Sequence, residues 1–167
     1  LEHPPGGWAG AVKITLLSVG TRMPAWVEQG VQEYSKRLPQ DFRLICTEVP
    51  LGRRSRSGSI AQAIRQESDA LLAKLDARDY VVALDVQGRH LSTEAMAAKI
   101  GSVRDDGRHL CLMVGGPDGL SEECLKRAEE TWSLSALTLP HPLVRIVVAE
   151  QVYRVWSVLV GHPYHRE

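Results

Sequence analysis

Five short stretches of this chain carry residue types able to do chemistry. Gly115-Gly116-Pro117-Asp118-Gly119 strings together residues that let a ligand approach the backbone and meet free amide donors. Residues 132–142 end in small and hydroxyl-bearing side chains and run into Pro140-His141-Pro142, so a planar ligand could use the backbone there. Glu150 and Arg154 stand four apart, in the order that favours an ion pair along a helix. The closing His162-Pro163-Tyr164-His165-Arg166-Glu167 offers groups for proton transfer, base stacking and phosphate contact. Arg53-Arg54-Ser55-Arg56 is a basic loop suited to phosphate. Each stretch also has a plain counterpart: a tight turn, a buried strand before a proline-led helix, an exposed ion pair, a frayed end, a solubilising loop. Neither GxGxxG nor GxxxxGK[ST] is present, so a dinucleotide fold or a P-loop is unsupported. A hydrolase is equally unsupported, for want of a GxSxG elbow or a convincing Ser/His/Asp set.

The elements that would hold these stretches alternate between strand and helix. Residues 12–19 form a β-branched apolar run stopped by Gly20, the pattern of a strand buried on both faces. Met23, Trp26, Val27, Val31, Tyr34 and Leu38 then recur at helical spacing until Pro39. A strand over 42–49 follows, then a helix over 60–75 with Ile60, Ile64, Leu71 and Leu75 on one face, a strand over 80–86 and a short helix over 93–100. Residues 109–114 read as a fourth strand entering the glycine run, 121–130 as a helix capped by Ser121, and 134–139 as the last strand. Pro142 opens a long final helix to about Val160, with Gly161 and Pro163 as its stop. Strand–helix alternation predicts an α/β domain with a mainly parallel sheet covered on both faces. Ligands of such sheets settle beyond the carboxyl ends of the strands, which puts the loops after Val86, Val114 and Leu139 in view. The last helix is apolar almost all round, so it is expected to be buried in its own core or a partner's. That predicts a homodimer with Arg145, Glu150 and Arg154 at the seam.

Composition narrows the setting. At 167 residues the chain has room for one domain, and 44% hydrophobic with 24% charged residues is an ordinary globular balance. Twenty Lys+Arg against twenty Asp+Glu mean that any nucleic-acid site must be a local patch. The apolar runs at 146–149 and 155–160 fall far short of the roughly 20 residues of a membrane span, so no membrane association is expected. Cys46, Cys111 and Cys124 lack CxxC spacing, which suits reduced, buried thiols and predicts neither a disulfide framework nor a metal site. Residues 1–11 do not read as a signal peptide and are set apart as a leader, leaving 12–167 as the domain.

Taken in order, Ser18-Val-Gly-Thr-Arg-Met-Pro-Ala-Trp-Val27, Val114-Gly-Gly-Pro-Asp-Gly-Leu-Ser121, Trp132-Ser-Leu-Ser-Ala-Leu-Thr-Leu-Pro-His-Pro-Leu-Val-Arg145, Ala149-Glu-Gln-Val-Tyr-Arg154 and the closing His-Pro-Tyr-His-Arg-Glu resemble one family over 12–167. These motifs are similar to those of the bacterial large-subunit ribosomal RNA pseudouridine N3-methyltransferases, the methyltransferase H family of the SPOUT superfamily. The resemblance implies an α/β fold with a C-terminal trefoil knot, a homodimer, and a cytoplasmic enzyme that needs no metal. It implies S-adenosylmethionine as cofactor, held by Leu84, Gly115, Gly116, Ser135, Ala136, Leu137, Thr138, Leu139 and Pro140. The implied acceptor is a pseudouridine in a 23S rRNA stem-loop within the assembled 70S ribosome. A non-catalytic RNA-binding or ribosome-assembly dimer of the same fold is the alternative.

On that reading the methyl carbon is already electrophilic, so the protein must orient the reactants and ease loss of the imide proton. Arg154 is expected to stabilise charge on the base carbonyls, with Glu150 holding it. His165 or His141 is expected to accept the proton and Tyr164 to stack on the base. Arg53, Arg54, Arg56 and Arg166 join Tyr164 as expected RNA contacts.

Overall fold

The computed structural model describes residues 11–54 and 58–166. Its strands and helices run β1 (Val12–Val19), α1 (Ala25–Ser35), β2 (Phe42–Val49), α2 (Ile60–Ala73), β3 (Tyr80–His90), α3 (Thr93–Asp105), β4 (Leu110–Val114), α4 (Glu122–Arg127), β5 (Glu130–Ser133) and α5 (His141–Val160). A final 3-10 turn covers Pro163–Arg166. The five strands are all parallel, in the order β2-β1-β4-β3-β5. This is the α/β architecture that the strand–helix alternation predicts.

The period of two along each strand divides the core. Ile14 and Leu16 of β1 join Leu110 and Leu112 of β4, Ile100 of α3 and Val148, Val152 and Val155 of α5 on one face. Leu17 and Val19 join Cys111 and Met113, with Leu71 of α2 and Cys124 of α4, on the other. All five residues of β4 are buried, as a central parallel strand covered on both faces should be. Serines start three of the helices: Ser59, Ser92 and Ser121 each accept the backbone N–H three residues on. Gly161, in the left-handed conformation at φ 73°, stops α5.

Three local expectations give way. Residues 134–139 are not the last strand; β5 ends at Ser133, paired with His90 after a register shift in β3. The hydroxyls supply the reason: Ser133 Oγ donates to the Ser135 carbonyl and Ser135 Oγ accepts the Leu137 N–H, so side chains serve backbone groups that a ladder would otherwise use. Helix α2 is turned in part from its expected face. Leu71 is buried and Ile64 and Leu75 half-buried as expected, but Ile60 is 57% exposed and Ala63, Glu67 and Ser68 complete the inward face, because Ala63 lies against the Gly52 backbone and Ser68 bonds Ser121. Of the three free cysteines, Cys111 and Cys124 are buried but Cys46 is exposed, since β2 is an edge strand.

The chain then returns from β5 to place α5 against α1 and α3, with His141 at the end of β4. That return runs beside β3 and the loop after β4 and is consistent with the knotted connection expected from the resemblance. No helix among the described residues is long and apolar enough to cross a membrane.

Candidate active site

The irregular middle of β3 and the loops after β4 and β5 meet at the head of α5 and line a cleft of about 290 Å³. It is lined by Leu84, Asp85 and Val86 at the register shift within β3, which runs on to His90 and does not end at Val86 as expected, by Gly115, Gly116, Pro117 and Gly119 after β4, and by Ser135, Leu137, Thr138 and Leu139 after β5, with His141 and Val144 of α5 closing it. Seven of the nine expected cofactor residues therefore line one cavity; Ala136 and Pro140 lie in the same loop but not on its wall.

Backbone, more than side chain, shapes this cleft. A Cβ at Gly115 would stand 2.6 Å from the Gly119 carbonyl carbon, and one at Gly116 would stand 2.8 Å from Glu67 Oε1. The turn closes through the Gly119 N–H on the Gly116 carbonyl at 3.0 Å. A side chain at Gly115 would meet main chain across the turn and one at Gly116 would press on the buried Glu67 carboxylate, so the two glycines let the turn close and pack on the chain beneath it. His141 Nε2 is hydrogen-bonded to the Gly115 carbonyl, which ties the head of α5 to the turn. The cleft is mostly apolar with convergent backbone groups, the composition of a small-molecule site. A larger groove of about 720 Å³ along Gln32, Lys36, Gln40 and Arg43 shares no residue with the strand-end loops.

The second constellation sits at the other end of α5. Arg154 donates to Glu150 Oε1 through Nε at 2.8 Å and Nη2 at 2.5 Å. Tyr164 folds back from the terminal turn, its hydroxyl 3.3 Å from the same oxygen and its ring 5.0 Å from the Arg154 guanidinium carbon. Burial and then the Glu150 charge push the Tyr164 hydroxyl above its ordinary pKa, so it stays protonated and can donate. Gln151 donates to Glu150 Oε2 at 2.7 Å and accepts Thr93 Oγ1 at 2.7 Å, anchoring the carboxylate to the start of α3. Tyr153 meets Tyr164 edge-on at 4.5 Å, and Arg37, just past the end of α1, lies 5.4 Å from the Tyr153 ring. Glu150, Arg154 and Tyr164 are thus brought together as their spacing suggests. Gln151, Thr93 and Arg37 are missed by sequence reasoning, for only Gln151 falls within a quoted motif.

The other expected residues divide. Arg145 is buried and bonds Glu48 and the Gly20 carbonyl, so within the chain it braces α5 against the ends of β1 and β2. Arg54 gives its donors to Glu67 and Asp118. Arg53 is exposed, its N–H on Gln66. Arg166 closes the terminal turn, where His165 Nδ1 is buried with no partner among the described residues. Arg56 lies outside the described residues. No cluster of three metal-capable side chains occurs among the described residues.

Within one chain the two constellations stay apart. Val144 at the cleft and Arg154 at the tail are ten residues apart on one helix, about 15 Å along its axis. Helix α1 runs parallel beside α5, with Gly30 against Ile146 and, just past its end, Arg37 against Tyr153. Trp26 and Leu143 therefore share the head end, where Leu137 is 73% exposed, Trp26 51% and Leu143 41%.

Comparison with known proteins agrees with this architecture. Residues 12–165 match the family model described as "Predicted SPOUT methyltransferase". The chain is 56% identical over 155 residues to the ribosomal RNA large subunit methyltransferase H of Chromohalobacter salexigens and 51% identical to that of Pseudomonas putida, in each case covering 93% of this chain and all of the relative. A crystal structure of a methylase family protein from Neisseria gonorrhoeae shares the fold with a TM-score of 0.52 at 13% identity, covering 92% of this chain and 86% of that one.

Proposed function

The chain belongs to the SPOUT methyltransferase family and is a methyltransferase, and from that premise we propose that it methylates N3 of a pseudouridine in 23S rRNA, using S-adenosylmethionine, on the assembled ribosome. The observation that carries the reading is the cleft where β3 and the loops after β4 and β5 meet around a turn led by two close-packed glycines. The donor fits there: Gly115, Gly116 and the 135–139 loop present backbone groups, while Leu84, Leu137 and Leu139 give the apolar surface an adenosine needs. When bound, S-adenosylmethionine supplies an electrophilic methyl group, which leaves orientation and proton removal to the protein.

Arg154 supplies the charge. A guanidinium held by Glu150 and covered by Tyr164 is fixed before the base arrives, so stabilising the anionic imide costs little reorganisation. Each histidine keeps a buried Nδ1 without a partner among the described residues; His141 Nε2 bonds the Gly115 carbonyl at the cleft, whereas His165 shares the terminal turn with Tyr164. Either can accept the proton, His141 from the cleft and His165 from the tail cluster. Arg53, Arg166 and Tyr164 supply contacts to RNA, Tyr164 by stacking.

The two constellations, about 15 Å apart in one chain, act together across a homodimer. Exposed Trp26, Leu137 and Leu143 give the apolar surface for that contact beside the cleft, so the Arg154 cluster of one copy serves the donor cleft of the other. Such an enzyme works in the cytoplasm, where ribosomes are.

The test is methyl transfer from labelled S-adenosylmethionine to 70S ribosomes, separated subunits and free rRNA from a strain lacking the endogenous activity, with the product nucleoside identified by mass spectrometry. Label in N3-methylpseudouridine on assembled ribosomes is the expected result. No label on any acceptor, with donor still bound, would favour the non-catalytic assembly-factor reading.

A further inference from the structure

Glu67 is 2% exposed, and no step of methyl transfer set out above uses it. A buried carboxylate is costly unless charge and hydrogen bonds meet it. Its Oε2 accepts the Gly52 N–H at 2.9 Å and Arg54 Nη1 at 2.7 Å. Arg54 turns its Nε to Asp118 Oδ2 at 2.9 Å, and its Nη1 also reaches the Gly52 carbonyl at 3.1 Å. Asp118 stands between Pro117 and Gly119, both on the cleft wall. Glu67 Oε1 faces the same turn from beneath, and a Cβ on Gly116 would come within 2.8 Å of it and 3.1 Å of Val19 Cγ1. The carboxylate thus fills the space behind Gly116 while its other oxygen, through Arg54, holds Asp118 on the far side.

We propose that Glu67 and Arg54 are positioning residues for the methyl-donor cleft: they clamp the glycine turn at Gly116 and Asp118, so that the segment between β2 and α2 sets the shape of the cleft floor. An apolar residue at position 67 would fill the same volume but would join neither loop, and a directional pair specifies where the turn sits. This gives Arg54 a different task from the phosphate contact its basic loop suggests. The proposal rests on the reading that this cleft holds the methyl donor, and the measurements separate the two.

The full-length protein is compared with Arg54→Ala, Arg54→Lys and Asp118→Asn, which change exposed or half-buried side chains and leave the core intact. S-adenosylmethionine affinity is read by calorimetry, kcat and KM on ribosomes by methyl transfer, and exchange of the Gly115, Gly116, Asp118 and Gly119 amides by NMR. Arg54→Ala is expected to weaken donor binding about tenfold. The kcat at saturating donor and the KM for ribosomes should change less than about twofold, and the turn amides should exchange faster. Arg54→Lys should recover part of the affinity, since an ammonium meets one carboxylate where the guanidinium meets two. Adding Asp118→Asn to Arg54→Ala should cost nothing further. Unchanged donor affinity and exchange, with a raised and more salt-dependent ribosome KM, would make Arg54 a phosphate contact and overturn the clamp. If the unaltered protein binds no S-adenosylmethionine, the cleft reading fails by itself. Amide exchange then still decides the clamp: faster exchange in Arg54→Ala sustains it and unchanged exchange ends it.

Discussion

The two ends of α5 are built from different materials. At its head the cleft is backbone: a turn led by two close-packed glycines, and a loop whose hydroxyls bond to its own main chain. At its tail the cluster is side chain: an ion pair, a tyrosine folded over it and a glutamine leash to α3. A backbone site is suited to a ligand that is the same in every turnover and must only be held. A side-chain site, with a charge that can meet a developing anion, is suited to the chemical step. The two ends should therefore fail differently when altered, the head in binding and the tail in rate.

Arg154→Ala gives the largest effect. Loss of one fixed charge-stabilising group costs about 10²–10³ in kcat at comparable sites. Donor affinity measured by calorimetry should stay within about twofold, because the cleft that holds the donor is lined without Arg154 and the guanidinium meets the base. Equal losses in donor affinity and kcat would erase the distinction between the two ends. Mixed dimers sharpen it further: an Arg154→Ala chain paired with a Gly115→Ala chain should regain activity in one of its two sites if the tail of one copy serves the head of the other.

Gly115→Ala comes next, with the opposite signature. Its new Cβ would stand 2.6 Å from main-chain carbon that cannot rotate away. The turn must open, at a stability cost of about 1–3 kcal/mol by analogy with overpacked cores. Donor affinity should fall about ten- to a hundredfold, while the 3-10 turn and the tyrosine contacts at the tail remain. A melting curve and a calorimetric titration check both halves.

How much of this was legible in the sequence differs along the same line. The strands β1 and β4 announce themselves because strands buried on both faces need continuous β-branched and apolar runs, while edge strand β2 shows only as a half-buried apolar segment. β5 does not: Glu-Thr-Trp-Ser has no such run, and its acidic start is explained only when Glu130 meets Tyr80, Lys99 and Trp132 in space. The glycine turn is visible as a string, though its use depends on a loop some twenty residues away in the chain. Glu150 and Arg154 are visible as a pair that looks like any exposed helical ion pair. Glu67 is hidden, since a charged residue inside a helix is ordinarily read as solvated. The inward face of α2 depends on Gly52 and Ser121, which no local period reveals.

Acid provides the next test, of smaller size. Burial alone would raise the Glu130 carboxyl, but hydrogen bonds from Tyr80, Lys99 and Trp132 outweigh it and hold the group at about 2. The unfolded chain takes up this proton near the ordinary value of 4.5 and the folded chain only near 2. The stabilisation is therefore complete above about pH 4.5 and is lost as pH falls towards 2. After allowance for solvent screening it is worth about 1–2 kcal/mol. Glu130→Gln should lower the melting temperature at pH 7 and flatten its fall between pH 4.5 and 2. Trp132, bonded to Glu130 and buried at the end of the strand that feeds the cleft, reports the change by fluorescence. An equally steep acid transition in Glu130→Gln would assign the acid sensitivity to other carboxylates.

The smallest effect isolates what Tyr164 does at the tail. Tyr164→Phe removes a hydroxyl that reaches Glu150 at 3.3 Å, a long bond that duplicates two shorter ones from Arg154. The ring, 5.0 Å from the guanidinium carbon and edge-on to Tyr153, is unchanged. Turnover should fall less than about threefold, within the value of one weak hydrogen bond. Tyr164→Ala also removes the ring and should raise the ribosome KM about tenfold, the lower range for one base–aromatic stack. If phenylalanine is as damaging as alanine, the hydroxyl is the working part and Tyr164 belongs with the proton transfer. If neither substitution matters, the tail acts through Arg154 alone, and the ring contacts only help to hold the terminal turn.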